Sequence, residues 1–316
     1  MEVLITREIP LIAETLLKEK KFKVTVIREN RPIPRNILIK NVSKINALVS
    51  LLSDKIDKEV IDAMPLCKVI ANYAVGYNNI DIEYAKSKGI IVTNTPDVLT
   101  ESTADIALAL TLACARRIPE GHEMMKSNGF KGWGPKLLLG IELKGKYFGV
   151  IGAGRIGTAT AIRAKAFGTK ILYYSNHKNE YLESAVGARK VSLPRLLSMS
   201  DVISLHLPLT PASYHLLNKE NLKLLKPTAI LINTARGEIV DEKVLIKMLR
   251  NNKIFAAGFD VYENEPNINP DLLKLNNVVL LPHVGSGTVE ARNKMAELVA
   301  KNVIAVLSGK KPVTPV

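Results

Sequence analysis

The segment YFGVIGAGRIGTATAIRAKAFG sets Gly152, Gly154 and Gly157 in a Gly-x-Gly-x-x-Gly spacing, directly after an apolar run and at the head of a helical pattern. That spacing suits a dinucleotide. The first glycine permits a tight turn, the second lets backbone approach a pyrophosphate, and the third lets helix and strand pack closely. The helix N-terminus then presents its N–H groups to the phosphates. A glycine-rich turn without a ligand is the other reading. An acid is expected about twenty residues on, where it accepts bonds from the adenosine ribose. Here that position holds Ser175, followed by Asn176, His177 and Lys178. A carboxylate there would repel a 2′-phosphate, whereas these residues offer neutral donors and a cation. The loop therefore favours NADP over NAD, although no arginine follows to grip a phosphate with two bonds. A loop that merely discriminates poorly would read the same way.

Three further residues could do chemistry. Arg236 in NTARGEIVD follows a buried-looking strand, where a solitary cation needs a reason; pairing with Asp241 or Glu238 would be a structural one. His283 in LLPHVGSG also follows an apolar strand, and histidine gives and takes a proton near neutral pH. Glu265 lies in YENEP. On spacing alone, a lone histidine and a lone glutamate are more often structural. His122 and His215 read as surface or packing residues in helical surroundings, and His206 as a structural residue at a strand end. No spacing of His, Cys and acids suits a metal.

The elements that must position these groups alternate. MEVLIT, FKVTVI, INALVSLL, CKVIANYAVG and GIIVTN read as strands, separated by helices in IPLIAETLLKEK, DKEVIDAM and DIEYAKSKG. One long helix is expected over ADIALALTLACARRIPEGHEMMKS. A second series follows, with strands YFGVIG, TKILYY, ARKV, DVISLHL, TAILINT, IFAAGFDV and NVVLLPH, and a closing helix that ends at Gly309. This rhythm predicts α/β architecture with mostly parallel sheets covered by helices. The second series is inserted between two long helices. A first domain is therefore expected over 1–97 and 286–316, with an inserted domain over 98–285.

Composition narrows the class. The 316 residues suit two domains, and 47% hydrophobic with 23% charged is ordinary for a soluble protein. No apolar run approaches the ~20 residues of a membrane span, and no signal peptide is evident. Two cysteines, Cys67 and Cys114, in unrelated contexts fit a reducing cytoplasm. The net charge of +14 is dispersed, with 5% aromatic residues. That argues against nucleic acid and for a solvated lysine coat, or a surface that attracts small anions.

The order of several blocks carries a resemblance. ANYAVGYNNIDIEYAKSKGIIVTNTPDVLTESTADIALAL, GVIGAGRIG, DVISLHLPLTPASYHLLN, LINTARGEIVDEKVL, AAGFDVYENEP and NVVLLPHVGSGT cover nearly the whole chain. In this order the sequence resembles the D-isomer-specific 2-hydroxyacid dehydrogenases, among them most the archaeal glyoxylate/hydroxypyruvate reductases. The resemblance implies two doubly wound parallel-sheet domains, a Rossmann dinucleotide-binding domain inserted in a flavodoxin-like substrate domain, with the active site in the cleft between them. It implies reduction of a small 2-keto acid by NADPH or NADH in a cytoplasmic enzyme. Arg236 would grip the carboxylate and polarise the carbonyl, His283 would be the acid/base, and Glu265 would pair with His283 and keep it protonated. Val75 and Gly76 would present backbone N–H groups to the substrate. The cofactor would be met by Gly152, Ala153, Gly154, Arg155, Ile156, Gly157, Ser175, Asn176, His177, Lys178 and Pro208. Toward its nicotinamide end come Thr103, Thr234, Ala235, Asp260 and Gly285, with Asp260 holding the carboxamide. Helix capping for Thr103 and a loop salt bridge for Asp260 are the plain alternatives. Asn78 stands where family members commonly have Asp.

A homodimer is expected through the apolar helix 104–118. Trp133 either reaches toward the partner's active site or anchors its own loop. The nearest rival activity is 3-phosphoglycerate dehydrogenase, although the chain lacks the extra regulatory domain and the acidic NAD determinant common there. Formate dehydrogenase fits worse, because its histidine partner resembles Gln rather than Glu265. A dinucleotide-sensing corepressor shares the fold and the three polar residues, but its flanking disordered segments are not evident.

Overall fold

The computed structural model describes residues 1–29 and 31–316, in two compact units: Met1–Leu99 with Ser286–Val316, and Thr100–Gly285. The first unit holds β1 (Glu2–Ile5), β2 (Lys23–Val26), β3 (Ala47–Ser50), β4 (Val69–Asn72) and β5 (Ile91–Thr93), all parallel in the order β2-β1-β3-β4-β5. Parallel pairing needs crossover helices, and these bury both faces of the central strands. Accordingly every residue of β3 and β4 is buried, whereas the edge strand β2 alternates exposed and half-buried.

The closing helix Val289–Leu307 starts at Thr288, whose side chain accepts the Ala291 N–H, and stops before Gly309 with φ of 74°. It packs on β4 and on the helix Ile12–Glu19. Buried Asn302 then stitches the tail down. Its Oδ1 accepts from Val313 and Thr314 N–H at 2.8 and 3.0 Å, and Thr314 Oγ1 donates to Asn94 O at 2.6 Å. The C-terminal segment thus belongs to the first unit's core.

The second unit carries β6 (Tyr147–Ile151), β7 (Lys170–Tyr174), β8 (Arg189–Lys190), β9 (Val202–Leu205), β10 (Ile230–Asn233), β11 (Ala256–Phe259) and β12 (Val278–Leu280). Their order is β12-β11-β10-β9-β6-β7-β8, again all parallel. The order reverses between β6 and β9, so the carboxyl ends of these strands flank a topological switch point, where doubly wound sheets bind ligands. Both sheets bear out the doubly wound α/β reading. No helix among the described residues is long and apolar enough to cross a membrane.

The long helix expected between the two series is broken. Thr100–Arg116 and Ile118–Lys126 are separate helices, with Arg117 left-handed at φ 53° between them and Pro119 in the first turn of the second. Proline lacks an N–H and its ring would clash with the carbonyl four residues back, so the chain restarts rather than continues. Thr100–Arg116 spends its apolar face on its own unit. Ala107, Leu110, Cys114 and Ala115 are buried in the core with Ile230, Ile232 and Ala256, where a leucine contributes about 1.5–3 kcal/mol.

Candidate active site

Gly152 has φ of +97°, and a Cβ there would come within 2.6 Å of the His206 carbonyl oxygen. A Cβ on Gly157 would overlap the Gly152 carbonyl. Gly154 differs: nothing lies within 4 Å of its Cβ position. It is the N-cap of the helix Arg155–Ala166, which has no side-chain cap and no acid in its first turn. The N-terminus of this helix, with its positive pole, thus begins beside open space at Gly154.

Asn179 ties the next loop to this turn. Its amide donates to Ala153 O at 2.8 Å and to Thr158 Oγ1 at 2.9 Å. Between Asn179 and β7 run Ser175, half-buried, and Asn176, His177 and Lys178, all exposed. Lys178 Nζ lies 3.4 Å from Glu183 and 3.8 Å from Glu180. After β9, Pro208 offers its carbonyl to Ser213 Oγ at 2.7 Å. His206 Nε2 sits 2.9 Å from Ser204 Oγ, and burial pushes its imidazole down to about 3, which makes it a neutral structural residue. His215 is not in helical surroundings. It lies in a turn at φ 45°, stacked on Tyr214 with Nε2 3.3 Å from Glu263.

The carboxyl ends of β10, β11 and β12 gather the remaining polar groups. Asn233 closes β10; its side chain donates to Arg236 O at 2.8 Å and accepts from Ala235 N at 3.0 Å, which shapes the turn carrying Thr234, Ala235 and Arg236. Gly237 lies against the Tyr262–Glu263 backbone, where any Cβ would overlap. Only glycine lets the β10 and β11 loops pass so closely. Arg236 is half-buried and donates from Nη1 to Ala235 O at 2.7 Å. Burial pulls its guanidinium below the usual arginine range, opposed by Glu265 and Glu238.

Glu265 Oε2 is 2.7 Å from His283 Nδ1, and Oε1 accepts the Tyr262 N–H at 2.9 Å. Burial would raise this carboxyl. The hydrogen bond and charge of His283, the Tyr262 N–H and the Arg236 charge together hold it below the usual glutamate range. His283 itself is left-handed at φ 55°, a conformation uncommon outside glycine. Asp260, 1% exposed, accepts the next two N–H groups, Val284 to Oδ1 and Gly285 to Oδ2, both at 2.7 Å. Thr103 Oγ1 donates to the Gly285 carbonyl at 3.3 Å.

Residues 108–285 match the family described as D-isomer specific 2-hydroxyacid dehydrogenase, NAD binding domain. The chain is also 51% identical over 315 residues to a glyoxylate reductase of Thermococcus litoralis, covering 98% of this chain and 95% of that one. The chain belongs to the D-isomer specific 2-hydroxyacid dehydrogenases.

Solved structures agree. An NADPH-dependent glyoxylate/hydroxypyruvate reductase of Sinorhizobium meliloti, in complex with NADP and malonate, superposes with a TM-score of 0.87 at 34% identity, covering 100% of this chain and 96% of that one. A D-lactate dehydrogenase of Aquifex aeolicus, complexed with NAD and lactic acid, gives 0.86 at 30% identity over 98% and 96% of the two chains.

This dehydrogenase also has the features that a nicotinamide dinucleotide needs. The space at Gly154 accepts a pyrophosphate against backbone, and Thr234 Oγ1 is buried without a hydrogen-bond partner among the described residues. Among those residues no group of three or more His, Cys, Asp or Glu side chains could hold a metal. The second unit brings Arg236, Glu265 and His283 together, with Thr103, Asp260 and Gly285 beside the histidine loop. Asp260 accepts a backbone N–H through each of its oxygens, and among the described residues it makes no salt bridge. Val75 and Gly76 lie in the first unit, past the end of β4, with their carbonyls accepting from Asn94 and Asn72, each at 2.8 Å. The sequence reading did not single out Asn233 or Asn179. A polar residue that ends an apolar run, as in AILIN, was the available signal for the first.

Proposed function

We infer that this dehydrogenase reduces glyoxylate or hydroxypyruvate to the 2-hydroxy acid, of D configuration where the product is chiral. The observation that carries the reading is the 2.7 Å pairing of Glu265 with His283 Nδ1 in the unit that bears the glycine turn. A bound nicotinamide dinucleotide supplies the hydride to the keto carbon. With Nδ1 held by Glu265, Nε2 is the nitrogen from which His283 hands a proton to the keto oxygen. The Arg236 guanidinium, depleted of water by burial, binds the substrate carboxylate and draws charge from the carbonyl. Asp260 is assigned to holding the His283 loop. Ser175 in place of an acid, together with the NADP-bound relative, supports a preference for NADPH.

A cytoplasmic setting is supported by Cys67 and Cys114, which are free and buried, with thiols pushed up to about 12 by burial. A homodimer is also proposed. Thr100–Arg116 buries Ala107, Leu110, Cys114 and Ala115 in its own unit but leaves Leu108 and Leu112 half-buried and Ala109 exposed, and the arm that follows exposes Ile118, Met125, Phe130, Trp133, Leu137 and Leu139. Trp133 is 84% exposed and does not anchor its own loop.

The test is initial rates of glyoxylate-dependent oxidation of NADPH and NADH by the purified protein. Turnover is expected with both, with a higher kcat/KM for NADPH and a loss of roughly 10²–10⁴-fold in kcat for His283→Ala. No turnover with either cofactor on glyoxylate or hydroxypyruvate would overturn the reading. Light scattering should give twice the chain mass.

A further inference from the structure

We propose that Lys190, rather than a cation of the loop after β7, recognises the 2′-phosphate of NADP. The proposal rests on the reading that this dinucleotide is bound, and it names the residue that selects it. The loop Ser175–Lys178 occupies the position where an acid would bind the ribose of NAD. Within it Lys178 is the expected cation, yet its Nζ sits between Glu183 and Glu180, at 3.4 and 3.8 Å. Its charge is compensated and drawn back toward the helix Glu180–Val186.

Lys190 comes from the neighbouring strand. β8 pairs in parallel with β7, Tyr173 opposite Lys190, so Lys190 leaves the sheet level with the last residues of β7. Its side chain crosses to the loop, where Nζ donates to the Asn176 carbonyl at 3.1 Å. A carbonyl fixes the ammonium without neutralising it, and among the described residues no carboxylate lies within ion-pair distance of that Nζ. An ammonium has three donors, of which Asn176 takes one. Glu183, the acid whose charge Lys190 also feels, is occupied by the Tyr173 hydroxyl at 2.7 Å and by Lys178. What results is a cation held at the Asn176 carbonyl, the residue that follows Ser175. A 2′-phosphate carries nearly two negative charges and gains charge-assisted bonds there; a 2′-hydroxyl does not.

The experiment is calorimetric titration of the full chain with 2′,5′-ADP and with 5′-AMP, for the wild type, Lys190→Met, Lys190→Gln, Lys190→Arg and Lys178→Met. The wild type should prefer 2′,5′-ADP. Lys190→Met and Lys190→Gln should erode that preference roughly tenfold with AMP binding unchanged, and Lys190→Arg should retain it. Glutamine can still donate to Asn176, so a purely structural lysine would be rescued by Gln as well as by Arg; that result overturns the proposal. So does a loss in Lys178→Met but not in Lys190→Met, or an equal loss for both nucleotides. A wild type that binds the two nucleotides equally would overturn the NADP preference together with the role of Lys190. A preference that survives Lys190→Met overturns only the latter.

Discussion

One carboxylate reaches two loops: Glu265 accepts from Tyr262 N–H through Oε1 and holds His283 Nδ1 through Oε2. The first bond sets the carboxylate's direction and the second sets the imidazole's. Replacing Glu265 by Gln keeps the shape and removes the charge. We expect kcat for reduction to fall roughly 10–100-fold with KM for glyoxylate changed far less, because a neutral amide holds the imidazole that Oε2 now fixes at 2.7 Å less firmly. An unchanged kcat would reduce Glu265 to a packing role.

Asp260 clamps the two residues after His283. Asp260→Asn turns one acceptor into a donor facing a backbone N–H, which should cost about 1–3 kcal/mol of stability and lower kcat by roughly tenfold. Thermal melts and steady-state rates on the same preparations decide it. Full activity at a reduced melting temperature would mean that the clamp does not position the histidine.

Gly154 and Gly157 should separate binding from folding. Gly154→Ala adds a methyl to open space, so the melting temperature should stay near wild type while the Kd for NADPH rises about tenfold or more. Gly157→Ala drives a methyl into the Gly152 carbonyl and should lower the melting temperature by several degrees. Equal effects of the two on melting would contradict the geometry at the turn.

In the first unit Asp54 is 3% exposed. Its Oδ2 accepts from Thr6 Oγ1 at 2.5 Å and from Leu51 N at 2.8 Å, while Oδ1 has no partner among the described residues. Burial raises this carboxyl above the usual aspartate range, against the pull of Leu51 N–H, Thr6 and Arg7. A raised folded value favours the protonated native state. That contribution is fully present below the unfolded value of about 3.9 and is lost as pH rises through the folded one. The stability of Asp54→Asn relative to wild type should therefore climb with pH across that window and then level. Denaturation curves of both proteins between pH 4 and 8 check the sign.

Most of the architecture was legible because parallel strands buried on both faces print as apolar runs between glycines. The helix Arg35–Val42 was not. It begins at Pro34 with no side-chain cap and no acid in its first turn, so nothing in the sequence marks its start. The break at Arg117 was visible in principle, since Pro119 stands two residues on, but the apolar pattern runs straight through it. His215 lies among residues of mixed helical character, and only tertiary pairing with Glu238 O and Glu263 turns that stretch into a tight bend. Arg236 and His283 stood out because each follows an apolar strand, whereas Glu265, six residues past the end of β11, was marked only by the resemblance. Lys190 could not, because its reach to Asn176 depends on strand register, which spacing along one chain does not encode.

The exposed arm has an optical consequence. The chain has one tryptophan, and it sits on that arm, open to solvent. Its emission should be red-shifted and readily quenched by iodide in an isolated chain. Dilution that separates assembled chains would then register as a change in a single, naturally placed fluorophore.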